Sequence, residues 1–137
     1  MIMDPQGEAI IRLINETVAQ AGLCCDDIDY INAHATGTLV NDKTEAMVID
    51  TLFHKKPLVN TTKSLIGHTV GASGAIGAAV AALSIRYQTT HICKNLEQPI
   101  RDLNFVTTVQ HHPIRTALIQ SFAFGGHNAA LVLKKYV

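Results

Sequence analysis

The chain has 137 residues, enough for one domain with a real core, since a chain of about 150 residues hides roughly 68–70% of its unfolded surface. Its 11 basic and 11 acidic side chains cancel, which removes the broad basic field that nucleic acid or an anionic membrane would attract. Charged residues make up 16% of the chain against about 25% in an ordinary soluble domain, while the apolar fraction of 47% is ordinary, so much surface is expected to be buried inside the domain or against a partner.

Along the chain, Asp4 and Pro5 form a cap and first-turn pair, and Ile10, Leu13, Ile14, Val18 and Ala21 recur at helical spacing until Gly22. That spacing predicts a first helix over roughly residues 5–22. Cys24 and Cys25 follow in a loop, and with Cys93 they make an odd count that lacks the CxxC spacing of zinc and redox motifs. No metal site is expected, and the thiols are read as reduced, in a cytoplasmic protein. The first residues carry acids where a secretory signal carries bases, and they hold no continuous apolar run. The segment 27–33, "DIDYINA", reads as a strand, 34–41 as a loop, 42–53 as a helix with acids in its first turn, and 57–61, "PLVNT", as a second strand.

A loop over 62–67 then leads into a helix over about 68–86. The pieces "THICKNLEQPI" and "DLNFV" read as short extended segments around a proline, "TALIQ" at 116–120 as a buried strand and "NAALVLKK" at 128–135 as a last one, with "SFAFGGH" turning between the last two. No repeat, linker or low-complexity tract divides residues 1–137, so a single domain is expected. Helix–strand alternation followed by a terminal hairpin predicts an α/β fold, a mixed five-stranded sheet with helices on both faces.

The stretch 61–79, "TTKSLIGHTVGASGAIGAA", admits several readings. Its apolar run is long enough to span a bilayer, but it is mostly Gly, Ala, Ser and Thr and has no flanking aromatic anchors, so no membrane span is expected. Gly71, Gly74 and Gly77 follow GxxGxxG spacing, which does not match the dinucleotide-binding turn. Glycines three apart share a helix face and fit a tightly packed core helix. Lys63 and His68 at its entrance are left unexplained by packing. His34 follows the first strand directly and His68 follows the second by one loop, so both stand at the carboxyl edge of a sheet, where open α/β folds place ligands. Asp42 and Glu45, one helical turn apart, are within reach of Lys63, or they are an ordinary acidic first turn.

The segments "NAHATGT" (32–38), "DKTEA" (42–46), "TKSLIGHTVGASGAIG" (62–77), "NLEQP" (95–99), "LNFV" (103–106) and "SFAFGGHN" (121–128) together resemble the C-terminal half of β-ketoacyl-acyl carrier protein synthases. These are condensing enzymes of fatty-acid and polyketide assembly, in the thiolase superfamily. The similarity covers nearly the whole chain in the family's order and spacing, and it implies one thiolase-like half. It also implies decarboxylative Claisen condensation of malonyl-carrier protein with an acyl thioester. By this resemblance His34 and His68 are the imidazole donors to the enolate oxyanion. Lys63, with Asp42 and Glu45, belongs to a charged network that organises the second histidine. Thr36 and Thr38 match hydroxyls that bind the phosphopantetheine arm. Phe122, Phe124, Gly125 and Gly126 match the family's gate, with the Phe124 backbone N–H in an oxyanion hole.

The resemblance further implies acyl carrier protein as partner, no bound cofactor beyond the phosphopantetheine arm that the carrier brings, and an oligomer. Ala35 and Ala123 stand where the family usually has glycine, and His127 stands where it commonly has threonine. His54, His91, His111 and His112 match no motif and read as surface or loop residues. The family's nucleophilic cysteine lies in an N-terminal half, and Cys24, Cys25 and Cys93 have neither a helix N-terminus nor a base to lower their pKa. The expectation is half an enzyme, inactive in condensation without its other half. The alternative is a non-catalytic domain, derived from such a synthase, that binds acyl chains or carrier protein or serves assembly.

Overall fold

A computed structural model describes residues 6–109 and 111–136 of the chain. Helix α1 (Glu8–Gln20) buries Ile10, Ile14 and Val18, one stripe at helical spacing. Its predicted Asp4–Pro5 start lies outside the described residues. The elements that follow are β1 (Tyr30–Asn32), α2 (Leu39–Leu52), β2 (Leu58–Asn60), α3 (Lys63–Ile66), α4 (Ser73–Tyr87), β3 (Thr116–Phe122) and β4 (Asn128–Lys134).

The strands form one sheet in the order β2-β1-β3-β4. Strand β1 runs parallel to β2 and to β3, and β4 closes the hairpin antiparallel to β3. The alternation of side chains along each strand divides the core in two. Ile31, Val59, Leu118 and Phe122 face α1 and α2, packing with Ile14, Val48 and Phe53. Tyr30, Ala117 and Ile119 face the other way, against Ala81 and Ile85 of α4. The mixed sheet with helices on both faces is therefore present, with four strands among the described residues where five were expected. The extended pieces around Pro99 reduce to a bridge between Val59 and Phe105, in which the Val59 N–H donates to Asn104 O at 2.9 Å and the Val106 N–H to Val59 O at 3.0 Å. Pro99 has no N–H to give to a ladder, so the segment that carries it forms no continuous strand.

Two boundaries differ from the sequence expectation where propensity is weak. Helix α2 starts at Leu39, inside the predicted loop, because the extended Thr38 leads into it and accepts its first bond from the Asp42 N–H at 2.9 Å. The predicted loop 62–67 contains the short helix α3, and the predicted helix from 68 opens instead on a tight turn over Val70–Ala72 before α4 begins. Of the three glycines read as a close-packing face, Gly77 alone meets a neighbour: a Cβ there would stand 2.9 Å from Asn32 Oδ1 and 3.2 Å from Ile119 Cγ2. Gly71 and Gly74 have nothing within 4 Å. The stretch Val70–Tyr87 is long and apolar enough by length and composition to cross a membrane, at mean hydropathy 1.3, and 22% of it is buried in the fold.

Candidate active site

The crevice lies at the carboxyl ends of β1 and β2, where the chain leaves each strand into a polar turn. The turn after β1 carries His34, 6% exposed, and Ala35, whose φ of 30° puts an alanine in backbone space that favours glycine. Glu45 of α2, 2% exposed, holds this turn: its Oε1 accepts the His34 N–H and its Oε2 the Ala35 N–H, both at 2.7 Å, and Asn41 Nδ2 adds a third bond at 3.3 Å. Burial pushes the Glu45 carboxyl up to about 7 against the pull of these donors. Burial, assisted by the charges of Lys63 and His68, pushes His34 down to about 4, so its imidazole is neutral at physiological pH.

The turn after β2 leads into α3 and then His68. The two imidazoles meet edge to face, with centroids 5.7 Å apart and planes at 87°. Phe122 of β3 meets His34 from another side at 5.4 Å. His68 Nδ1 accepts the Val70 N–H at 3.1 Å and lies 3.0 Å from Ser73 Oγ. A backbone N–H only donates, so Nδ1 is an acceptor and the neutral ring carries its proton on Nε2. Val70 holds this bond from a left-handed conformation, φ 49°, that a β-branched residue rarely adopts.

Lys63 opens α3, and burial lowers its amine pKa, with Glu45 opposing the shift. No ion pair or hydrogen bond joins it to Asp42 or Glu45 among the described residues. Glu45 braces the His34 turn while its charge acts on Lys63, and Asp42 accepts from Asn41 Nδ2 at 3.0 Å. Thr36 and Thr38 place their hydroxyls 3.0 Å apart at the start of α2. Phe124 is 91% exposed on the turn between β3 and β4, and Gly125 there has a φ of 83°. Of the three positions that depart from the family pattern, Ala35 borders the cavity beside Lys63 and His68, while Ala123 and His127 close the exposed turn, the Ala123 N–H donating to His127 O at 3.0 Å.

That cavity, of about 450 Å³, runs from Thr36, Lys63 and His68 to an apolar wall of Leu96, Ile100 and Phe105. Cys93 lines it too, with its thiol pKa raised by burial. Sequence reasoning left Cys93 outside the site, because the strap that carries it has no periodicity to show which way it folds. His91 and His112, read as surface or loop residues, are partly buried.

The amino-acid sequence matches the family profile "Beta-ketoacyl synthase, C-terminal domain" over residues 1–97. It is 38% identical over 138 residues to 3-oxoacyl-[acyl-carrier-protein] synthase II, chloroplastic, of Arabidopsis thaliana, covering 96% of this chain and 26% of the relative. It is 40% identical over 137 residues to 3-oxoacyl-[acyl-carrier-protein] synthase 2 of Mycobacterium leprae, covering 97% and 33%. The chain thus spans about a quarter to a third of the curated relatives it matches. The fold superposes with TM-score 0.91 on a ketosynthase in complex with its chain length factor from Xenorhabdus doucetiae, at 32% identity over 98% of this chain and 35% of that one. Sequence match, fold and relatives agree that the chain belongs to the β-ketoacyl synthase family and carries its C-terminal domain.

Proposed function

We propose that this domain supplies the two imidazole donors of a decarboxylative Claisen condensation, with malonyl-carrier protein and an acyl thioester as substrates in fatty-acid or polyketide synthesis. The observation that carries the reading is the His34–His68 pair, with the first ring kept neutral by burial and the second holding its proton on Nε2 through the Val70 N–H. Loss of carbon dioxide from the malonyl thioester leaves an electron pair that moves onto the thioester oxygen as an enolate. Two N–H donors, the buried His34 and the more open His68, stabilise that charge, the more strongly once the rest of the synthase closes over them. The enolate carbon then attacks the acyl thioester, a carbon–carbon bond forms, and the thiolate leaves.

The acyl group is carried on a cysteine from a segment that completes the site. Among the described residues Cys93 reaches the cavity, but its raised pKa makes it a poor nucleophile. Lys63 acts through its field and by orienting the turn, without transferring a proton. Thr36 and Thr38 border the path of the phosphopantetheine arm, which arrives on acyl carrier protein, and no resident cofactor takes part. A synthase partner covers the apolar faces of the domain. The compartment is cytoplasmic, with thiols reduced.

In an assembled synthase carrying this domain, His34→Ala or His68→Ala lowers malonyl decarboxylation by about 10²–10³, the usual loss for one oxyanion donor, while acylation of the cysteine persists. Decarboxylation at the unmodified rate in the double variant would remove the histidines from the mechanism and favour a binding or assembly role.

A further inference from the structure

We propose that His91 is a positioning residue of this site: through the Thr62 hydroxyl it holds the turn that presents Lys63. The inference begins with polar residues where an apolar core is expected. Tyr30, Asn32 and Asn60 lie on the α4 face of β1 and β2, at 0%, 4% and 1% exposure. Thr62 and Thr90 beside them are 9% and 5% exposed. Polar groups buried this deeply persist only if every donor and acceptor is matched.

The matching has one direction. Asn60 Nδ2 donates to Thr90 Oγ1 at 3.1 Å and to the His91 carbonyl at 2.7 Å, and its Oδ1 accepts the Tyr30 hydroxyl at 2.7 Å. Tyr30 in turn accepts from Asn32 Nδ2 at 3.0 Å, and the same amide donates to Thr62 Oγ1 at 2.9 Å. Thr62 Oγ1 lies 3.3 Å from His91 Nε2, and His91 Nδ1 lies 2.9 Å from the Ile92 carbonyl. A carbonyl only accepts, so Nδ1 carries the ring proton, Nε2 is the acceptor, and the Thr62 hydroxyl donates to it. The Thr62 hydroxyl thus accepts from Asn32 and donates to His91, so both of its hydrogen-bonding roles are filled.

Thr62 immediately precedes Lys63, and its carbonyl accepts the Leu65 N–H at 3.0 Å. The strap that bears His91 grips the same turn again, where the Lys94 N–H donates to Ser64 Oγ at 3.1 Å. Helix α3 is four residues long, has no fully buried residue, and leaves Leu65 and Ile66 44% and 54% exposed, so little apolar packing holds it. Its placement depends on these bonds: Asn32 ties Thr62 to the buried polar chain, and His91 ties the same hydroxyl to the strap that packs over the turn. The inference rests on the reading of Lys63 as part of a condensing site, but its primary test needs no activity.

The test uses the chain itself. Histidine-selective ¹⁵N spectra report the His91 tautomer, side-chain ¹³C spectra follow the Lys63 titration, and amide exchange follows α3. His91→Gln puts an acceptor oxygen where Nε2 stands, and His91→Leu removes it at similar bulk. The expected result is an Nδ1–H ring in the unaltered chain and preserved Lys63 titration in His91→Gln. In His91→Leu, Lys63 moves toward an ordinary lysine, and exchange at Leu65 and Gly67 rises about tenfold, the effect of one lost hydrogen bond, with α1 unchanged. An Nε2–H ring, Lys63 indifferent to His91→Leu, or equal acceleration in α1 overturns the proposal. The tautomer is read on the unaltered chain, so the proposal stays testable if His91→Leu does not fold. An assembled synthase without decarboxylase activity, while Lys63 still responds to His91→Leu, counts against the condensing reading and leaves the positioning role standing.

Discussion

Burial moves Glu45 from 4.5 up to about 7 and His34 from 6.5 down to about 4, and the two shifts act oppositely on stability. The unfolded chain releases the Glu45 proton near pH 4.5 and the folded chain keeps it to about 7, so the Glu45 contribution is full below 4.5 and is lost as pH rises through 7. The unfolded His34 takes up a proton near pH 6.5 that the folded ring refuses until about 4, so its contribution is full above 6.5 and is lost as pH falls through 4. Between 4.5 and 6.5 each group contributes a slope of about 1.4 kcal/mol per pH unit, of opposite sign, and the two offset. Urea unfolding of His34→Gln across that window should therefore show stability rising as pH falls, by about 1 kcal/mol per unit, where these two groups leave the unaltered chain nearly level. An equally level curve in the variant would mean that Glu45 is ionised throughout, held by its three N–H donors. This pairing also marks what a motif cannot convey. The sequence places Asp42 and Glu45 near Lys63, but only the turn of backbone after β1 reveals that Glu45, whose charge acts on Lys63, also braces His34 and Ala35.

At the scale of elements, legibility followed the length of the periodic signal. Helix α1, with its stripe of Ile10, Ile14 and Val18, and the β3–β4 hairpin stand close to their predicted bounds because each carries a pattern long enough to have a period. Strands β1 and β2 have three residues each, and their terminal Asn32 and Asn60 break the apolar pattern for a reason that lies across the sheet, in the polar chain ending at His91. The start of α2 and the whole of α3 were hidden in residues of middling propensity, which contacts elsewhere decide. The glycines of α4 give a direct test of the one that matters. Gly74→Ala meets open space and should stabilise by up to about 1 kcal/mol through helix propensity. Gly77→Ala gains the same propensity but drives a methyl against Asn32 and Ile119, where overpacking costs typically 1–3 kcal/mol, so its denaturation midpoint should fall. If both substitutions raise the midpoint, α4 sits more loosely on the sheet than the Asn32 contact implies.

For the whole molecule, the low charge content of the sequence finds its counterpart in surface left uncovered. Helix α4 packs Ala81 and Ile85 on the sheet and turns Leu83, 52% exposed, and Tyr87, 64% exposed, outward; Val70 and Phe124 stand out at 80% and 91%. An apolar surface of this kind marks an interaction face, and under the proposed function it is where other parts of a synthase pack. That proposed covering would also account for the membrane-like composition of Val70–Tyr87, since a helix with sheet on one side and protein on the other needs no polar face. The domain alone should therefore bind an apolar dye and associate as its concentration rises in sedimentation. Leu83→Lys with Tyr87→Lys should suppress both, and because neither side chain belongs to either core cluster, the unfolding free energy should change by no more than about 0.5 kcal/mol. In an assembled synthase the same pair should weaken association of the domain with its partner and lower activity in proportion to the complex lost, with turnover per intact complex unchanged. A monomer at every concentration, without dye binding, would mean that α4 faces water in the working protein, and the reading of its outer face as an interface would be wrong.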